Sequence, residues 1–133
     1  MQKFDIDDVN TKVFELGELS KEVIVLLNLN TNESKILLSN DRIKHIKNHQ
    51  NDFLSYEEFK LCTESAADVI QNPDYVGMHP DGESIQYIKE LSENMVVAVK
   101  INNKGVKWVK SIYPISDAKL EGYINSGRLK KVK

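Results

Sequence analysis

At Asn72-Pro73-Asp74 the chain changes its hydrophobic period, and this switch constrains the fold more than any other feature. Pro73 lacks a backbone donor and pushes Asn72 out of the helical region, so a helix running into it must stop. Before it, Ser55 stands as an N-cap ahead of Tyr56-Glu57-Glu58-Phe59-Lys60-Leu61-Cys62, and apolar positions recur at helical spacing through Ala66, Ala67, Val69 and Ile70. After it the period falls towards two. Strands are predicted over 75–78, 84–91, 95–102 and 106–115, joined by Pro80-Asp81-Gly82, Ser92-Glu93-Asn94 and Asn102-Asn103-Lys104-Gly105, all of turn chemistry.

Upstream, residues 11–17 are β-prone, Ser20-Lys21-Glu22 opens an apolar helical run over 23–29, and 35–38 is a brief strand. Ser39-Asn40-Asp41 then offers capping oxygens and a negative charge at a helix start, and Asn51-Asp52 ends or bends that helix. Beyond Pro114, residues 117–124 read as a short helix with Gly127 after it and a basic tail. Helices ahead of a continuous meander predict an α+β fold, with N-terminal helices packed on one face of a four-stranded antiparallel sheet. A chain of 133 residues fits one domain, with its core over about 11–125 and a basic tail over 126–133. The second sheet face is then available for a site.

The helix after Ser39 holds two of the three histidines, His45 and His49. At about 100° per residue they lie about 40° apart, with Arg42 about 60° from His45, so a titratable basic stripe borders the apolar positions Ile43 and Ile46. Imidazoles take up and release protons near neutral pH, and cleavage of an RNA strand needs both events: one at the attacking ribose 2′-hydroxyl, one at the departing 5′-oxygen. Grouping Tyr87, Lys89, Lys100, Ser111 and Tyr113 on the free sheet face leaves the apolar parity for the core. Arg42, Lys89 or Lys100 would then stabilise charge on phosphorus, and Ser111 and Tyr113 would donate to its oxygens.

Other chemistries fit less well. Histidines four apart are half of a zinc site, but Ile46 stands where a metalloprotease carries glutamate, and the one remaining histidine, His79, lies in the 78–82 connection. No metal is expected. The glycines are isolated, so no phosphate loop or nucleotide cofactor is implied, and Ser111 lacks the small-residue elbow of an acyl-transfer nucleophile. Trp108, flanked by Val106 and Val109, reads as core. With 18 basic and 20 acidic side chains there is no global attraction for nucleic acid, so a polyanion site must be local. Cys62 has no internal disulfide partner, and no apolar run reaches signal-peptide or membrane-span length, so a soluble cytoplasmic protein is expected.

Several segments together resemble the phage-associated branch of the barnase–EndoU–colicin–RelE nuclease superfamily. They are Gly17-Glu18-Leu19-Ser20-Lys21-Glu22-Val23-Ile24, Ile36-Leu37-Leu38-Ser39 followed by His45-Ile46-Lys47-Asn48-His49, and Ile70-Gln71-Asn72-Pro73-Asp74. Tyr87-Ile88-Lys89, the strand around 96–99 and Val109-Lys110-Ser111-Ile112-Tyr113 complete the pattern. The resemblance implies a metal-independent endoribonuclease that cuts RNA, such as tRNA, by 2′-hydroxyl transesterification. Such domains are toxins or effectors of prophages and mobile elements. Carried over, it puts the family's helical histidines on His45 and His49, a polar sheet residue on Lys89 and a strand hydroxyl on Ser111, the expected catalytic set, and it implies a cognate inhibitor or immunity protein as partner; Arg42, Tyr87, Lys100 and Tyr113 are expected, from their own placement, to bind substrate. The contrasting expectation, favoured by the acidic balance, is a non-catalytic interaction module descended from such a nuclease.

Overall fold

The computed structural model describes residues 4–101 and 105–132. Four helix starts are fixed by serine hydroxyls. Ser20 accepts from the Val23 amide ahead of α1 (Lys21–Leu26), Ser39 from Asp41 ahead of α2 (Asn40–Ile46), Ser55 from Glu58 ahead of α3 (Tyr56–Glu64), and Ser116 from Lys119 ahead of α5 (Asp117–Asn125). The helical run before Pro73 is broken once. Ser65 donates its hydroxyl to the Leu61 carbonyl and separates α3 from α4 (Ala66–Gln71).

The histidine segment also divides. α2 ends at Ile46, and Lys47–Asp52 winds as a 3-10 turn. Asn48, Gln50, Asn51 and Asp52 give the α-helix little support, and Phe53 turns back to pack edge-on against Phe59 with ring centroids 5.6 Å apart. Tighter winding opens the angle between His45 and His49 to about 80° instead of 40°.

The sheet corrects the sequence expectation most strongly. It has seven strands in the order β1-β2-β6-β5-β4-β3-β7, and it is mixed, not a four-stranded antiparallel sheet preceded by helices. β3 (Tyr75–Met78), β4 (Ser84–Glu90), β5 (Asn94–Lys100) and β6 (Lys107–Ile115) form the expected meander. β1 (Val13–Leu19) and β2 (Ser34–Ser39) extend it beyond β6, where β2 runs parallel through Ile36↔Lys107 and Leu37↔Trp108. On the opposite side β7 (Leu129–Lys131), from the expected tail, pairs with β3. The cause is edge satisfaction: a bare meander leaves the amides and carbonyls of β6 and β3 unpaired, and short strands from both halves of the chain take them up. The turn expected at 102–105 falls largely on residues outside those described.

Helices α1–α4 bury one face, where Leu16, Ile36, Ile43, Ile46, Phe59, Val69, Ile85, Met95, Val97, Val99 and Ile112 share a core. The other face carries a smaller cluster of Ile88, Val96, Ile115, Leu120 and Leu129 beneath α5. Thus α5 covers only one end of that face. A bulge decides what occupies the rest: Ala98 pairs with Ser111 but Val99 with Val109, so Lys110 is an extra residue on β6. The parity reverses there. Val109 enters the helix-side core, while Trp108, Ser111 and Tyr113 lie on the face that α5 leaves uncovered.

Candidate active site

On the uncovered face, which we call the cleft, Gln86, Ala98 and Ser111 are buried at its floor, and Tyr113, Arg128 and Trp108 are partly exposed. β4, β5 and β6 set the floor at neighbouring positions, and Arg128 enters from the residue preceding β7. Its approach depends on Gly77 of β3: a Cβ there would lie 2.5 Å from the Arg128 carbonyl oxygen.

A chain of hydrogen bonds crosses the cleft. Arg128 donates through Nη2 to Gln86 Oε1, and Gln86 Nε2 donates to the Tyr113 hydroxyl oxygen at 2.8 Å. Because guanidinium can only donate, the amide orientation is fixed, and the Tyr113 oxygen is left as acceptor within this chain. Its own proton can therefore be donated outward. Burial raises the Tyr113 phenol above its ordinary range, while the Gln86 bond works in the opposite direction. The Arg128 guanidinium stacks 3.9 Å from the Tyr123 ring centroid, and its buried Nε has no partner among the described residues.

On the other side of Tyr113 stands His49, with ring centroids 5.8 Å apart. His49 Nδ1 lies 3.1 Å from Asp52 Oδ2; because a carboxylate oxygen accepts, this contact selects the tautomer with the proton on Nδ1, in which Nε2 is the acceptor. The 3-10 turn builds this pair, since the two residues are three apart in sequence. Two further cations are tied to the bulge of β6: Lys110 reaches Asp81 of the β3–β4 connection at 3.5 Å, and Arg42 donates its Nε to the Lys110 carbonyl at 2.7 Å.

The residues singled out in the sequence do not all converge. His49, Ser111, Tyr113, Lys100 and Arg42 border or line the uncovered face. His45 is exposed on α2 and makes no contact with this group. Tyr87 and Lys89 share the helix-side parity instead: Tyr87 is fully buried in the larger core, and Lys89 donates to the Asn72 carbonyl at 2.8 Å. Grouping them with Ser111 and Tyr113 fails on register: Tyr87 lines up through Val97 with Ile112, and Gln86 through Ala98 with Ser111, an offset between strands that alternation within each strand does not reveal. Conversely, Asp52, Gln86, Tyr123 and Arg128 were not anticipated. One signal was present: Gln86 is the polar residue between Ile85 and Tyr87 in an apolar strand. Among the described residues no group of three or more His, Cys, Asp or Glu side chains is arranged to hold a metal ion.

A small α+β domain with acid–base groups and fixed cations on one exposed sheet face has the makings of a nuclease-like domain. The sequence model described as phage-Barnase-EndoU-ColicinE5/D-RelE like nuclease3 matches residues 15–122, and the chain belongs to that family. No curated protein and no solved structure is significantly similar to it.

Proposed function

We propose that this domain is an endoribonuclease that cleaves RNA by transesterification, with both proton transfers made by side chains of the cleft. His49 Nε2, oriented by Asp52, takes the proton from the 2′-hydroxyl as it attacks phosphorus. Tyr113 gives its proton to the leaving 5′-oxygen, and Arg128, coupled to Tyr113 through Gln86, offsets the charge that accumulates on the phosphoryl oxygens. Ser111 adds a donor from the floor. The reading rests above all on the Arg128–Gln86–Tyr113 chain standing beside the His49–Asp52 pair on the one face that helices leave uncovered. His45 and Lys89 hold no role in it. An RNA-cutting toxin or effector of a phage or mobile element would be restrained by an inhibitor that covers this cleft.

The test is incubation of the purified protein with total RNA and tRNA in EDTA. Fragments ending in 2′,3′-cyclic phosphate are expected, and His49→Ala and Tyr113→Phe should each lower the rate about 100-fold or more without changing the circular dichroism. A folded wild-type protein that leaves RNA intact over a range of salt overturns the proposal in favour of an interaction module.

A further inference from the structure

Trp108 is the only tryptophan of the chain, and it does not enter either core cluster. It pairs with Lys100 on β5 and with Leu37 on β2, on the same sheet face as Ser111 and Tyr113. Beside it a groove of about 260 Å³ is lined by Ser39, Asp41, Arg42, Lys100, Trp108 and Val109. The bond from Arg42 Nε to the Lys110 carbonyl holds its positive charge in the groove wall.

We infer that this groove is a base-binding subsite, in which an unpaired nucleobase of an RNA strand stacks on Trp108 while Arg42 and Lys100 neutralise the phosphates on either side. This rests on the ribonuclease reading above and extends it from the bond cut to the strand held. Stacking supplies affinity for any base because every base presents a π-face, and it requires that face to be free, so a single strand is selected over a duplex. Asp41 repels a phosphate from the groove and accepts from base N–H groups, which places a base there and the backbone at its margins. The volume lies below that of pockets for drug-sized ligands and suits one planar ring system. From Trp108 to Tyr113 the strand advances about 13 Å once the bulge residue is discounted, so the stacked base belongs to a nucleotide flanking the cleaved bond.

Because Trp108 is alone, its fluorescence reports stacking directly. The full chain is titrated with a 2′-O-methyl oligonucleotide of mixed sequence, which cannot be cleaved by transesterification, with the same strand annealed to its complement, and with inorganic polyphosphate. Strong quenching by the single strand is expected, with little from the duplex or polyphosphate. Trp108→Leu should bind a labelled single strand about 5- to 150-fold more weakly, and Trp108→Phe should recover part of the loss. Equal quenching by polyphosphate, or binding by Trp108→Leu within twofold of wild type, overturns the subsite. The two readings fail separately. A protein that cuts no RNA but is quenched by the single strand retains the subsite and loses the catalytic role, whereas one that cuts RNA without quenching keeps catalysis and loses the subsite.

Discussion

Tyr113 and Tyr87 are both desolvated phenols, yet their oxygens stand in opposite situations. The Tyr113 oxygen accepts from Gln86 at the cleft, whereas the Tyr87 hydroxyl is buried on the helix side with no partner among the described residues. A buried hydroxyl without a partner costs free energy, so Tyr87→Phe should raise stability by about 1 kcal/mol and leave RNA cleavage unchanged, as thermal melting and initial rates would show. Were Tyr87 in contact with substrate, the same substitution would raise KM. Burial raises both phenols. Each therefore contributes stability that is fully present below its unfolded value near 10 and is lost as pH rises through its higher folded value. The wild type should lose melting temperature in strong alkali, and Tyr87→Phe should lose less.

Among the elements, β7 has the most leverage for its size. Three residues long, it closes the β3 edge and delivers Arg128 to the cleft. Its seat is Gly77, where a methyl group would meet the Arg128 carbonyl and, at 2.8 Å, Leu129 Cδ2. The first of these neighbours is backbone and cannot rotate aside, so Gly77→Ala must displace β7. A loss of about 1–3 kcal/mol is expected, with cleavage falling further than stability because Arg128 loses its alignment with Gln86. Circular dichroism melts and single-turnover rates would separate the two effects; an unchanged rate in the destabilised variant would free Arg128 from its role.

At the scale of the molecule, the fold is closed by its first described residues. Phe4 and Ile6 are buried in the main core, and between them and α3 runs a polar clasp in which Lys60 contacts Asp5, Asp7 and Glu64. The Tyr56 hydroxyl, then Lys47 and Lys60, hold the Asp7 carboxyl down at about 2 from its ordinary 3.8. A lowered folded value means that Asp7 contributes stability above pH 3.8 and loses it as pH falls towards 2. Asp7→Asn should therefore flatten the fall in melting temperature across that window while leaving the slope above pH 5 unchanged.

Local chemistry determined what is short-range in this protein. Serine caps, the stop at Pro73 and the four strands of the meander all follow from propensity and spacing over a few residues. Tertiary structure decided the rest. Which strands adopt the meander's edges depends on unpaired backbone groups far apart in the chain, so β1, β2 and β7 could be seen as strands or tail but not assigned to the sheet. The bulge at Lys110 put Trp108 and not Val109 on the face of Ser111 and Tyr113, strand register put Gln86 and not Tyr87 there, and a single-residue offset leaves no trace in alternation. Arg128 and Gln86 lie 42 positions apart, and they meet because β7 folds back onto β3 through the gap that Gly77 leaves.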